Sequence, residues 1–174
     1  ILVYQGLQRM RAGRCRPGIQ ALAEVAGRRL ARLTEQDLAF ALGPRLNAAG
    51  RLEDMALGIR CLLAADAGRA RELARALDEL NQARRELEQE MVRDAELIVA
   101  NHQLAVADRF GVCVYDPGWH QGIVGLVAGR LRERIERPVV AFADAGDVAP
   151  DELKGSARSI PSLHVRDTLD AIAA

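Results

Sequence analysis

From residue 69 to residue 102 the chain contains neither proline nor glycine. Leu73, Leu77, Leu80, Leu87, Met91 and Ile98 return at spacings of three, four or seven, and Arg84, Arg85, Glu86, Glu88, Glu90 and Arg93 occupy the other faces. This pattern predicts a single helix over residues 67–102, about 35 residues and roughly 50 Å long at a rise of 1.5 Å per residue. A domain of 100 residues has a radius of gyration near 13 Å, so a rod of that length has to join two lobes or lie along another long element. After the step from Leu80 to Leu87 the heptads become irregular, which argues against a self-associating coiled coil. The expected organisation is therefore two lobes joined by a helical linker.

The segment before the rod reads as short helices. Leu2, Val3, Leu7 and Met10 share a helical face. IQALAEVAGRRLA at 19–31 is a second apolar helix, and Thr34 with Asp37 has the spacing of a capping box. GPRLNAAGR at 43–51, with its proline and two glycines, is expected to be a loop, and EDMALGIRCLLAAD resumes a helix from about Asp54 to Ala65. Beyond Phe110 the periodicity changes. GVCVYD is strand-like and ends in Asp116-Pro117-Gly118, GIVGLVAGRLRERI is a helix with Gly122, Gly125 and Gly129 on one face, and PVVAFA is a second short strand. Strand, helix, strand predicts a right-handed crossover with parallel neighbours. ELKGSARSI adds a strand with a glycine kink, and VRDTLDAIA a helix near the end of the sequence. The fold class is α/β: a helical first part, a long connecting helix, and an incomplete α/β second part with uncovered apolar faces.

No apolar run is long enough to cross a bilayer, and the apolar start precedes its arginines, the reverse of a secretion signal, so a cytoplasmic protein is expected. Cys15, Cys61 and Cys113 read as small buried hydrophobes, and with His102, His120 and His164 they form no recognisable zinc spacing. Net charge is zero, yet residues 1–50 hold eight arginines against three acids. That positive front ends in the 43–51 segment, where Arg45 and Arg51 can offer planar forks of N–H donors and Asn47 an amide. Two further polar clusters sit at element boundaries. Trp119-His120-Gln121 precedes the glycine helix, where free N–H groups favour an anion; Trp119 is equally suited to filling the core or stacking a base. In the strand that follows, Ser156 and Arg158 face one side with Lys154 beside them, which suits a phosphate. No Asp- and His-rich metal constellation, P-loop, GxGxxG or Ser-His-Asp set is present, so the residues by themselves describe a binding module for a phosphodiester.

GLQRMRAG, DLAFALGPRLNAAGRLEDMALGIRCLL, LDELNQARRELEQEM, YDPGWHQGIVGLVAGRLRERIERPVVAFA and LKGSARSIPSLHVRDTLDAI together resemble, in order and across almost the whole chain, the RecJ family of the DHH phosphoesterase superfamily. The resemblance implies the end of a DHH domain over 1–66, the connecting helix over 67–107, and the start of a DHH-associated domain over 108–174. It also implies a 5′-to-3′ exonuclease of single-stranded DNA in repair and recombination, using Mn²⁺ or Mg²⁺ held by motifs that this sequence lacks. The chain is accordingly expected to be an internal piece, inactive alone, of a monomeric enzyme whose partner is single-stranded DNA. Ser156 and Arg158 match the pair that grips a 5′-terminal phosphate in that family. Arg45, Asn47 and Arg51 match its arginine loop, and Trp119 and His120 its WHxG motif. The competing readings are a free-standing nucleic-acid-binding module and a phosphodiesterase of short oligonucleotides or cyclic dinucleotides.

Overall fold

A computed structural model describes residues 1–101, 110–146, 149 and 151–173. His102 and the expected boundary at 107 lie outside them. The chain forms two compact units, Ile1–Arg85 and Glu86–Ala174.

The first unit is helical. α1 (Leu2–Arg11) and α2 (Pro17–Val25) precede a 3₁₀ turn at Leu30–Arg32. α2 stops short of the expected residue 31 because Gly27 takes a left-handed φ of 65°. The Thr34–Asp37 capping box is present: the Thr34 hydroxyl accepts from the Asp37 N–H, and the Asp37 carboxylate accepts from the Thr34 N–H and hydroxyl. It opens α3 (Glu35–Asp37), which widens into a π turn at Leu38–Leu42 and continues as α4 (Gly43–Leu52). α5 (Ala56–Leu63) and the first half of α6 (Ala67–Asn101) complete the unit, with Leu7, Leu22, Leu33, Leu42, Cys61 and Leu77 at the centre of its core. α2 and α5 touch backbone to backbone at Gly18, where a Cβ would overlap the Cys61 carbonyl.

The expected loop at 43–51 is thus a helix. Proline and glycine are breakers in a helix interior, but Pro44 occupies the first turn, where its missing N–H is not needed. The π turn just before it, closed by the Gly43 N–H on the Leu38 carbonyl, takes up the irregularity. Ala48 and Ala49, fully buried, hold the segment against the core.

In the second unit β1 (Val112–Tyr115) and β2 (Val139–Asp144) are parallel neighbours, as the crossover rule predicts, and β3 (Leu153–Arg158) adds antiparallel to β2. α7 (Val124–Ile135) covers the face carrying Val112, Val114, Val139, Ala141 and Ala143, all buried. The C-terminal half of α6 pairs with α7 through Arg130–Glu88 at 3.4 Å and Arg134–Glu96. On the other sheet face Tyr115, Phe142 and Gly155 lie in one row, and the Phe142 ring fills the space where Gly155 lacks a side chain. α8 (Val165–Ala173) buries Val165 but leaves Leu169 and Ile172 exposed, in keeping with the uncovered apolar faces read from the sequence. Of the cysteines, Cys61 alone is fully buried. Cys15 is half-buried and Cys113 exposed, because it points away from α7; burial pushes both the Cys61 and Cys15 thiols up.

Candidate nucleic-acid interface

β3 supplies the most completely formed cluster. Successive strand residues alternate faces, so Lys154, Ser156 and Arg158 lie on one side, opposite Ala143, Ala141 and Val139 of β2 and therefore toward α7. Arg158 Nη1 donates to Ser156 Oγ at 2.9 Å and to the Ala157 carbonyl at 2.8 Å, while Nη2 donates to the Gly125 carbonyl at 2.6 Å. Three of the five guanidinium hydrogens are thereby engaged, leaving Nε–H and one Nη2–H without a protein acceptor among the described residues. Ser156 Oγ, having accepted from Arg158, keeps its own hydrogen to donate. Lys154 stands exposed on the same face. The arrangement offers donors and positive charge with no carboxylate on those three side chains, which is the chemistry of an oxyanion site.

The helical form of 43–51 divides its three polar residues. At 100° per residue Asn47 and Arg51, four apart, share a face, whereas Arg45 points the other way. Asn47 is exposed and Arg51 half-buried. Arg45 is not placed to contact a substrate in the way the sequence suggests. Its side chain is 12% exposed, Nη1 donates to the Ala41 carbonyl at 2.7 Å, and Nε lies 2.7 Å from Asp78 Oδ1 of α6. That last N–H does not point squarely at the oxygen, so the contact is an ion pair and not a directed hydrogen bond. Arg45 ties α4 to α6. The partner Asp78 gave no signal in the sequence, because the pairing requires α4 to be a helix.

At the Trp119-His120 cluster the structure takes the core-filling alternative for the tryptophan. Trp119 is 5% exposed and presents no free face for a base; its Nε1 has no acceptor among the described residues. His120 Nδ1 accepts from the Gly122 N–H at 3.1 Å, which satisfies an amide at the entry to α7. The two residues line a cavity of about 230 Å³ whose other walls include Glu90, Asp94 and Asp116. Three carboxylates repel a phosphodiester, so this hollow is a poor place for a nucleic-acid backbone.

Residues 105–174 match the model of the DHHA1 domain. The three-stranded sheet, the glycine-bearing α7 that covers it and the Ser-x-Arg pair of β3 all fall within that match. Over almost its whole length the chain is similar to proteins of the RecJ family. It is 53% identical over 174 residues to the single-stranded-DNA-specific exonuclease RecJ of Escherichia coli (strain K12), covering 99% of this chain and 30% of that protein. It is 34% identical to the RecJ of Bacillus subtilis (strain 168), covering 97% of this chain and 21% of that one. The crystal structure of RecJ in complex with Mg²⁺ from Thermus thermophilus matches with a TM-score of 0.80 at 31% identity, over 99% of this chain and 25% of that one. A crystal structure of an exonuclease RecJ bound to manganese matches with a TM-score of 0.74 at 30% identity, over 97% of this chain and 39% of that one. The chain therefore spans about 30% of the length of the E. coli relative.

Those solved structures carry a divalent cation. Among the described residues here, no group of three or more His, Cys, Asp or Glu is placed to hold a metal, so the described residues do not fit the ion. Among the same residues no helix is long and apolar enough to cross a membrane.

Proposed function

We propose that this chain is the strand-gripping part of a RecJ-type exonuclease that removes nucleotides from the 5′ end of single-stranded DNA in repair and recombination. In this reading the metal-holding residues lie in a part of the enzyme beyond this chain, and the enzyme works as a cytoplasmic monomer. Residues 1–66 close a DHH domain, 67–107 connect, and 108–174 begin the DHH-associated domain.

The observation that carries the proposal is the donor cluster on β3, in a chain similar to RecJ along its whole length. Arg158 and Ser156 take the terminal 5′-phosphate, with Nε–H, an Nη2–H and the serine hydroxyl as donors, and Lys154 adds charge beside them. A terminal phosphate carries more charge than an internal diester, so a preformed donor cluster favours the strand end and sets where cleavage starts. Asn47 and Arg51, on one face of α4, contact the backbone further along the strand, where arginine contributes affinity without base preference. Arg45 supports them indirectly by fixing α4 to α6 through Asp78.

The test is cleavage by the complete protein, with Mn²⁺ or Mg²⁺, of strands labelled at one end. Release of nucleotides from the 5′ end of single strands, with blunt duplex spared, is expected. Digestion from the 3′ end, or equal digestion of duplex, contradicts the proposal.

A further inference from the structure

We infer that Gly125 is the positioning residue of the anion grip: its carbonyl and its missing side chain together hold the Arg158 guanidinium in the one orientation that presents its remaining donors. The inference rests on the proposed role of Ser156 and Arg158, and it assigns a specificity-setting function to a position in α7 that touches no substrate.

Two independent features of the geometry meet at this residue. The Gly125 carbonyl, in the first turn of α7, accepts from Arg158 Nη2 at 2.6 Å, the shortest of the guanidinium's three contacts. A charged donor and a short distance make this the strong kind of hydrogen bond. A Cβ on the same residue would stand 2.9 Å from Arg158 Nη2 and 3.0 Å from Ser156 Oγ, so any side chain there displaces both members of the pair at once. One turn along, a Cβ on Gly129 would lie 3.8 Å from Arg158 Nε, an ordinary contact. The two glycines share a helix face, but only one is required by the arginine.

The consequence is preorganisation. An arginine side chain free in solvent must be ordered when it binds an anion, which lowers the affinity it can deliver. Here the guanidinium is held at Nη1 by Ser156 Oγ and the Ala157 carbonyl and at Nη2 by Gly125, before any ligand arrives. A lysine at 158 keeps the charge but cannot form this fork, because its ammonium is a single point with no planar spread of donors.

The experiment measures the affinity of the complete protein for two oligodeoxynucleotides of one sequence, ending in 5′-phosphate or 5′-hydroxyl, with Gly125→Ala, Gly129→Ala, Arg158→Ala, Arg158→Lys and the double variant G125A/R158A. Gly125→Ala is expected to lower the preference for the phosphorylated strand by roughly tenfold, the loss of one charge-assisted hydrogen bond, with hydroxyl-strand affinity changed less than about twofold. Gly129→Ala retains the preference. Arg158→Ala abolishes it, and removes less in the Gly125→Ala background than it does alone, because both changes act on one latch. Arg158→Lys loses most of it, and carries the same test if Gly125→Ala does not fold. A wild-type preference that survives Gly125→Ala in a folded protein, or that survives Arg158→Lys, overturns the inference while leaving the phosphate grip in place. A preference unaffected by Arg158→Ala overturns the grip itself.

Discussion

Arg45 and Arg158 look alike in the sequence, each an arginine in a glycine-containing polar segment, yet the structure gives them different partners. Arg158 is held by a hydroxyl and two carbonyls, neutral acceptors that leave its full charge to be used. Arg45 is held by the Asp78 carboxylate, which neutralises it. The difference was partly legible. Strand alternation places Ser156 and Arg158 together from sequence alone, whereas the Arg45 partner lies 33 residues on and on another helix. The first unit also carries a titrating cap. The Thr34 N–H and hydroxyl, assisted by Arg28, hold the Asp37 carboxyl below its ordinary 3.8. A depressed carboxyl contributes stability that is complete above its unfolded value and is lost as pH falls through the folded one. The melting-temperature gap between wild type and Asp37→Asn is therefore expected to be constant from neutral pH down to about pH 5 and to shrink as the pH falls further, through 3.8 and below. A gap that closes between pH 7 and pH 5 contradicts that assignment.

Among the elements, those with one strong period were readable. The 35-residue α6 follows from an uninterrupted helical pattern, and the β1–α7–β2 crossover from the change to short apolar runs. α4 was not readable, since Gly43, Pro44 and Gly50 are punctuation in isolation. What rescues the helix is tertiary: a π turn before the proline, and two alanines with no exposed surface. Other glycines have uses that a sequence cannot reveal, because each depends on what arrives from elsewhere in the chain. Gly18 admits the Cys61 carbonyl of α5, and Gly155 admits the Phe142 ring. Gly18→Ala should force α2 and α5 apart and lower stability by about 1–3 kcal/mol, the usual range for overpacking a close contact. Chemical denaturation measures it. A neutral or stabilising Gly18→Ala, as expected of an ordinary mid-helix glycine, would show that the two helices do not cross so closely.

For the molecule as a whole, two compact units share one long helix, and the proposed function assigns polar residues of each to a DNA backbone: Asn47 and Arg51 in the first, Lys154, Ser156 and Arg158 in the second. Neutral net charge is compatible with this, because affinity for a strand end comes from a few placed donors and not from a uniformly basic surface. The Trp119-His120 segment shows how local chemistry can mislead at this scale. An amide-rich helix entry suggests an anion, but Glu90 and Asp94 of α6 line the same cavity and reverse its sign. The measurement closest to the central claim is the equilibrium affinity of the complete protein, at fixed salt, for a single strand bearing a 5′-phosphate against the same strand bearing a 5′-hydroxyl. Tighter binding of the phosphorylated strand by about 1.5–3 kcal/mol, removed by Arg158→Ala, is the predicted result. Equal affinity for the two ends in the wild-type protein would contradict it.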